Sequence, residues 1–242
     1  MLNMLLIGGG ENGSLRTDGS RRPLETLAID EYFVGMIGKN EPRLLFIPTA
    51  TEMMDHEHCY EQGIRSLYGD RLGCLVNVLY LTSKTTVNSI ADKLDQADAV
   101  YIGGGDTGHL MRRWKEIGLD AIIKKTALTG KPIAGISAGA MCWFDKITIK
   151  NGTDNYFIDG LGLFKNFCIP HWNKHRSFAK LPLAEGSSFV AIDECAAVHI
   201  NERSEIVNSQ PKASAFYCQV SDKLTERKLR YDDLFSNTEQ KE

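Results

Sequence analysis

Short apolar runs alternate with longer amphipathic stretches along the first part of the chain. Each run is bounded by Gly, Pro or Asp, as buried strands usually are, and the stretches between them repeat with the helical period. The predicted strands are Met4–Ile7, Arg43–Ile47, Leu75–Leu81, Ala99–Ile102 and Pro132–Ile136. The predicted helices are Pro23–Ile37, Glu57–Leu67 and a segment that holds Leu110, Trp114 and Ile117. This alternation predicts an α/β fold with a mostly parallel sheet covered by helices on both faces.

The pattern changes after residue 150, where short strand-like runs follow one another with few helical stretches between them. These runs are Phe157–Phe164, Asn166–Ile169, Ser188–Ile192, Ala196–Ile200 and Ala213–Val220. We interpret them as a β-rich, mixed C-terminal part of the same sheet. Residues 1–220 are therefore expected to form a single α/β domain, because no linker or repeat interrupts them. The polar segment Ser221–Glu242 is predicted to be a surface helix ending at Phe235 or a tail.

Composition and charge narrow the range of partners. The 242 residues are 43% hydrophobic, and 28 basic against 31 acidic side chains leave a net charge of −3. With this balance the chain has no excess of positive charge to attract the phosphates of a nucleic acid, so nucleic acid is not an expected partner. No apolar run is long enough for a membrane helix, and the start of the chain lacks the features of a signal peptide. The six cysteines show no metal-ligand spacing, and together these observations predict a cytoplasmic protein with reduced thiols.

Two glycine-rich segments follow predicted strands and fit the pattern G-x-G-x-x-G. The first holds Gly8, Gly10 and Gly13, and the second holds Gly103, Gly105 and Gly108. A dinucleotide site would also need an acidic residue at the end of the next strand, about 20 residues further on, and neither segment has one. We therefore favour tight turns at the carboxyl ends of parallel strands. The backbone N–H groups of the second turn could also hold an anion or an oxyanion.

The segment from Pro132 to Ala140 carries the strongest catalytic signal. A strand runs into the pattern G-x-S-x-G, with Ser137 at its centre and small residues on both sides. Such residues are what a sharp strand-to-helix turn requires, and the turn would raise the serine hydroxyl above the sheet. The N–H of Ala138, at the start of the following helix, could then stabilise an oxyanion. Ser137 is therefore predicted to be a nucleophile.

A serine nucleophile needs a histidine as base and an acid that orients this histidine. His171 directly follows a short predicted strand, where loops carry catalytic groups, and His175 is the fallback. The remaining histidines are interpreted as surface or satisfied polar residues. They are His56, His58, His109 and His199.

For the acid, Asp154 lies in a turn-rich stretch between the serine and the histidine. Asp145 and Asp159 remain alternatives. Asp145 stands close behind the elbow helix, and Asp159 precedes Gly160 and also suits a plain turn.

Several ordered motifs together resemble the peptidase E family of serine peptidases. They are Ile-Gly-Gly-Gly-Asp-Thr at 102–107, Gly-Ile-Ser-Ala-Gly-Ala at 135–140, Ile-Asp-Gly-Leu-Gly-Leu at 158–163, Pro-His at 170–171 and Ala-Ile-Asp-Glu at 191–194. The resemblance spans about residues 4–220. It implies a flavodoxin-like three-layer sandwich, similar to class I glutamine amidotransferases.

The resemblance also implies roles for particular residues. Ser137, His171 and an acid, Asp154 most plausibly, would form a Ser–His–Asp/Glu triad. The N–H of Gly104 or Gly105 would join that of Ala138 in the oxyanion hole. Members of the family cleave dipeptides with an N-terminal aspartate, and Arg176 or Lys174 would supply the cation that such a substrate needs.

The expected function is that of a cytoplasmic serine peptidase acting on short peptides, without a cofactor or metal. A homodimer is left open, because folds similar to the amidotransferases often dimerise. Two other functions are weighed against this one. The same triad could serve an esterase or amidase with a non-peptide substrate, or the glycine turns could form a non-catalytic binding module for a small molecule.

Overall fold

The computed structural model describes residues 1–14, 16, 18–52, 57–151, 154–175, 183 and 185–235, and the described chain forms two β-sheets with helices around them. In chain order the strands are β1 (Met4–Ile7), β2 (Arg43–Ile47), β3 (Leu75–Val78), β4 (Ala99–Ile102), β5 (Ile133–Ile136), β6 (Phe144–Asn151), β7 (Asp154–Asp159), β8 (Phe164–Ile169), β9 (Ser188–Ile192), β10 (Ala196–Ile200), β11 (Ser204–Asn208), β12 (Ala215–Val220) and β13 (Leu224–Lys228). The helices are α1 (Leu27–Ile37), α2 (Glu57–Ile64), α3 (Val87–Gln96), α4 (Thr107–Ile117), α5 (Leu119–Leu128), α6 (Ala138–Met141) and α7 (Trp172–His175). A π-helical turn (Arg65–Arg71) extends α2.

The first sheet has the strand order β11-β10-β1-β5-β4-β2-β3. Strands β1, β5, β4, β2 and β3 are parallel, whereas β10 is antiparallel to β1 and β11 is antiparallel to β10. Because parallel strands end at the same edge of a sheet, the loops that follow β1, β2, β4 and β5 meet there. This edge carries the predicted serine turn and both glycine turns.

Helices cover both faces of the first sheet, as predicted. Along β1, Leu5 and Ile7 pack with α1, α2 and the π-helical turn, while Met4 and Leu6 pack with α3, α4 and α5 on the opposite face. Successive side chains of a strand point to opposite faces, so a strand that is apolar at every position buries both. The α/β class and its three layers are therefore confirmed.

The second sheet corrects the expectation of a single sheet. Its strand order is β13-β12-β9-β8-β6-β7, and only β10 and β11 of the C-terminal strands join the first sheet. The change of sheet occurs at residues 193–195, between β9 and β10, where Cys195 has a φ of 62°. The alternation of apolar residues marks a strand and its buried face but does not identify the neighbouring strand, which is why the sequence pattern did not reveal two sheets.

Several other boundaries also differ from the predictions. Strands β6 and β11 and helices α3 and α5 were not predicted, and α1 begins at Leu27 rather than Pro23. The segment expected to be a helix or tail contains β13, which pairs with β12, and a 3₁₀ turn (Tyr231–Leu234). Strand β13 lies at a sheet edge, and its alternating charges resemble those of a solvated helix. In the described residues, no helix is long and apolar enough to cross a membrane.

Candidate active site

Ser137 lies on a strained turn between β5 and α6. Its backbone has φ 52° and ψ −109°, which is outside the regions that L-residues normally occupy. The flanking glycines make this turn sterically feasible: a Cβ on Gly135 would come within 2.0 Å of the Gly139 carbonyl oxygen, and one on Gly139 within 2.3 Å of the Ile102 carbonyl oxygen. The sharp strand-to-helix turn predicted from G-x-S-x-G is therefore present.

The structure brings His171 against Ser137. His171 follows β8, and its Nε2 lies 2.9 Å from the Ser137 Oγ. The backbone N–H of His171 donates to the Gly8 carbonyl oxygen at 2.9 Å, which ties the histidine to the end of β1. The imidazole remains 29% exposed, so it can contact a molecule in the adjoining cavity.

Glu194 holds the other ring nitrogen of His171. The distance from His171 Nδ1 to Glu194 Oε1 is 2.9 Å, and the second carboxylate oxygen pairs with Lys174. The Glu194 N–H donates to Asn173 Oδ1 at 3.0 Å, which fixes the residue beside α7. An ionised carboxylate can only accept a hydrogen bond, so Nδ1 carries the proton and Nε2 can accept one from the serine.

The surroundings of Glu194 keep it charged. Its side chain is only 12% exposed, and this burial acts to raise the pKa of the carboxyl. The hydrogen bonds and charges of Lys174 and His171 act in the opposite sense and prevail, so the pKa lies below its ordinary value. Glu194 can therefore stabilise a positive charge on His171 at neutral pH.

This contact corrects the choice of acid made from the sequence. Asp145 pairs with Lys165 at 3.4 Å, and Asp159 pairs with Lys146 at 2.6 Å. Asp154 begins β7, and its side chain lies outside the described residues, but the bond from His171 Nδ1 goes to Glu194. The three aspartates lie between the serine and the histidine in the sequence, whereas Glu194 follows both. A signal was available, because Glu194 follows a fully buried strand within the Ala-Ile-Asp-Glu motif.

A cavity of about 380 Å³ opens beside Ser137 and His171. Gly104 and Gly105 line it, and the Gly104 N–H donates to the Tyr60 hydroxyl at 3.4 Å. Ala138 is the first residue of α6, where a backbone N–H has no partner within the helix. These are the groups predicted for the oxyanion hole: Gly104 and Gly105 lie on the loop after β4, and Ala138 directly follows the serine at the start of α6.

Of the two cations predicted to bind substrate, only Lys174 lies in the described part of the chain. Lys174 lines the cavity and pairs with Glu194, whereas Arg176 lies outside the described residues. Arg22, which was not predicted, also lines the cavity and pairs with Glu11 at 2.7 Å. Within the described part of the chain, no group of three His, Cys, Asp or Glu side chains could hold a metal ion.

The first glycine turn positions the histidine and the glutamate. The Gly8 N–H donates to the Ala196 carbonyl oxygen, and the Cys195 N–H donates to the Gly9 carbonyl oxygen, both at 2.9 Å. A Cβ on Gly9 would approach the His171 ring to 2.3 Å. The chain itself therefore occupies the space beside Gly8 and Gly9, whereas Gly10 lines the cavity next to Ser137.

An α/β fold with a serine on a strained turn, bonded to a histidine that a carboxylate orients, defines a serine hydrolase. The chain belongs to peptidase family S51, whose family model matches residues 4–207. The protein is therefore a peptidase. It is similar to the uncharacterized peptidase YgaJ of Bacillus subtilis, with 28% identity over 229 residues, 92% of this chain and 94% of YgaJ.

Two solved structures share the fold. A peptidase from an acI-B1 Actinobacterium superposes with a TM-score of 0.66 at 21% identity, over 94% of this chain and 97% of that one. A putative peptidase E protein from Listeria monocytogenes EGD-e superposes with a TM-score of 0.63 at 21% identity, over 86% of this chain and 98% of that one. Both superpositions show the same α/β fold, in agreement with the predicted architecture.

Proposed function

We propose that this protein hydrolyses short peptides through a triad of Ser137, His171 and Glu194. The observation that carries the proposal is the unbroken chain of hydrogen bonds from the Ser137 Oγ through both ring nitrogens to the Glu194 carboxylate, with 2.9 Å at each step. A serine hydroxyl is a weak nucleophile, and an adjacent base with a fixed tautomer activates it.

The reaction proceeds in two halves. Ser137 Oγ attacks the scissile carbonyl carbon while its proton passes to His171 Nε2, and the resulting imidazolium is stabilised by Glu194. His171 then gives this proton to the leaving nitrogen, the C–N bond breaks, and an ester to Ser137 remains. In the second half, water attacks the ester, its proton passes through His171 to the Ser137 oxygen, and the carboxylic acid leaves.

The negative charge on the carbonyl oxygen needs donors fixed in advance. We assign this role to the N–H of Ala138 together with that of Gly104 or Gly105, on the loops after β5 and β4. Tyr60 contacts the Gly104 N–H at 3.4 Å, a long hydrogen bond that a substrate oxyanion can replace.

For the substrate we propose short peptides, with dipeptides that begin with aspartate as the first choice. The resemblance in sequence implies this specificity, and the cavity of about 380 Å³ suits a ligand of this size. Two cations, Arg22 and Lys174, line the cavity and could meet an aspartate side chain. Arg176 remains a prediction for the same role.

The test measures amine release from Asp-X dipeptides and other dipeptides, and alcohol release from acyl esters. Ser137→Ala is compared with wild type, and Ser14→Ala serves as the matched control, because Ser14 lines the same cavity but is outside the proposed triad. We expect Ser137→Ala to lower turnover by about 10⁴-fold or more and Ser14→Ala to keep measurable turnover.

Other outcomes would select other functions. Turnover of esters alone would favour an esterase, and turnover of peptides without N-terminal aspartate would retain the triad but discard the aspartyl specificity. Ligand-induced stabilisation that survives Ser137→Ala, with no turnover, would favour a binding module and overturn the proposal.

A further inference from the structure

A second cleft continues from the catalytic cavity at Asn12 and Arg22. Its volume is about 370 Å³, and both residues line the two spaces, so the cleft and the cavity meet there. Arg21 and Arg71 also line the second space, which we call the arginine cleft. The proposed reaction at Ser137 uses neither of these two arginines.

The Asn12 side chain at this junction has an unused donor. It is only 5% exposed, and its Nδ2 has no hydrogen-bond partner among the described residues. The main chain at this position is held in place, because Asn12 forms a β-bridge with Leu24 and the Gly13 N–H donates to the Pro23 carbonyl oxygen at 2.9 Å. An unpaired buried amide is unfavourable, so a ligand that accepts a hydrogen bond at this place would satisfy it.

The charge around the arginine cleft is positive. Its wall carries Arg21, Arg22 and Arg71 against a single acid, Asp70, although the whole chain has a net charge of −3. Arg22 forms an ion pair with Glu11 of the catalytic cavity, with 2.7 Å between the guanidinium nitrogen and the carboxylate oxygen. Arg21 makes only long bonds, 3.4 Å to the Gly13 carbonyl oxygen and 3.5 Å to Ser66 Oγ.

Arg71 has even fewer contacts. It is exposed at the end of the π-helical turn, and none of the described residues pairs with its guanidinium. Two guanidinium groups with free donors, next to an unpaired amide, match the acceptor geometry of a carboxylate.

We propose that the arginine cleft is a subsite for a carboxylate of the substrate, remote from the bond that is cleaved. This inference rests on the proposed peptidase function and extends it to peptides longer than a dipeptide. A substrate would run from Ser137 past Asn12, whose amide would donate to it, and its carboxylate would bind Arg21 and Arg71. The carboxylate can be the C-terminus of the peptide or an acidic side chain.

The experiment compares matched peptides. The first pair is Asp-Ala-Ala with a free C-terminus and its C-terminal amide. The second pair is Asp-Ala-Glu and Asp-Ala-Gln, both amidated. Binding to Ser137→Ala is measured by calorimetry, and kcat/KM is measured with the active enzyme. We expect the acidic member of at least one pair to bind about tenfold more tightly.

The variant Arg71→Gln should reduce this acid-over-amide preference about fivefold to tenfold, because it removes a charge-assisted contact. Arg65→Gln is the matched control: it lies on the same π-helical turn, pairs with Glu61 and lies outside the cleft. Asn12→Asp, which replaces the donor by an acceptor of the same shape, should lower the preference further, and thermal melting checks that each variant folds.

Equal binding of acid and amide in both pairs would overturn the subsite, as would an equal effect of Arg65→Gln and Arg71→Gln. If the active enzyme cleaves none of these peptides or shorter ones, the peptidase proposal fails. The subsite is then decided by calorimetry alone, since carboxylate binding does not require turnover.

Discussion

Replacing Glu194 by glutamine tests the triad most directly. The change keeps the size and shape of the side chain. In the native protein the carboxylate lies 2.9 Å from His171 Nδ1, and the amide of the variant can still contact this atom. It removes the negative charge that would stabilise the imidazolium formed during the reaction. Because the amide offers a donor as well as an acceptor, the variant also weakens the control of the histidine tautomer.

The magnitude follows from the distance. Unit charges 2.9 Å apart interact by about 6 kcal/mol at an effective dielectric constant of about 20. Lys174 shares the carboxylate, and the site is open to water on the cavity side, and both reduce the interaction. We therefore expect the Glu194 charge to stabilise the transition state by about 3 to 5 kcal/mol. That corresponds to a loss of about 10² to 10⁴ in kcat.

The assay measures kcat and KM on the best peptide of the panel, and the matched variants are Asp145→Asn, Asp154→Asn and Asp159→Asn. We expect kcat to fall in Glu194→Gln with little change in KM, and all three aspartate variants to remain within a few-fold of wild type. A Glu194→Gln enzyme with wild-type kcat would refute this reasoning. A large loss in Asp154→Asn would return the catalytic role to the residue chosen from the sequence.

Three further predictions concern stability and reactivity. Gly139→Ala should lower the melting temperature, because its Cβ would meet the Ile102 carbonyl oxygen at 2.3 Å and overpacking costs about 1–3 kcal/mol. Gly35→Ala should raise the melting temperature, because open space surrounds Gly35 in α1 and alanine is favoured over glycine within a helix. Asp30 is buried, and burial raises its pKa to about 6 from an ordinary 3.8. The free energy of unfolding should therefore fall by up to about 3 kcal/mol as the pH rises from 4 to 7 and Asp30 ionises. Urea titrations at several pH values should find this fall in the wild type and not in Asp30→Asn. Iodoacetamide should modify Cys59 of the native protein before Cys142 and Cys168, because burial raises the pKa of these two thiols; prior labelling of either would contradict the burial.

The parts of the fold that could be predicted are those in which local pattern and burial coincide. The bounds of β1, β2, β4 and β9 agree with the predicted strands, because each is an apolar run whose ends are marked by polar residues, Gly or Pro. Strand β13 has one half-buried residue and four exposed ones, so it carries no such run. Its position is determined by pairing with β12, a contact that the local sequence does not encode.

The candidate site divides in the same way. Ser137 could be predicted because its turn imposes small neighbours, and His171 because it closely follows a strand. Glu194 also closely follows a strand, yet its contact with His171 spans 23 residues and depends on the chain leaving β9 for the other sheet. The choice among Asp145, Asp154 and Asp159 relied on chain order, which carries no information about distance.

The junction of the two sheets explains why the first glycine turn has glycine at positions 8 and 9. Ser137 belongs to the first sheet, whereas His171 and Glu194 follow strands of the second, so the distance between the Ser137 hydroxyl and the His171 ring depends on how the sheets are joined. Gly8 and Gly9 make that connection through main-chain bonds to His171, Cys195 and Ala196. A side chain on Gly9 would occupy the space of the His171 ring. Gly8 and Gly9, which resemble part of a nucleotide motif, thus hold the backbone close enough for the His171 ring to contact the Ser137 hydroxyl. Close backbone approach and phosphate binding both require glycines in this pattern, and the three-dimensional contacts distinguish the two.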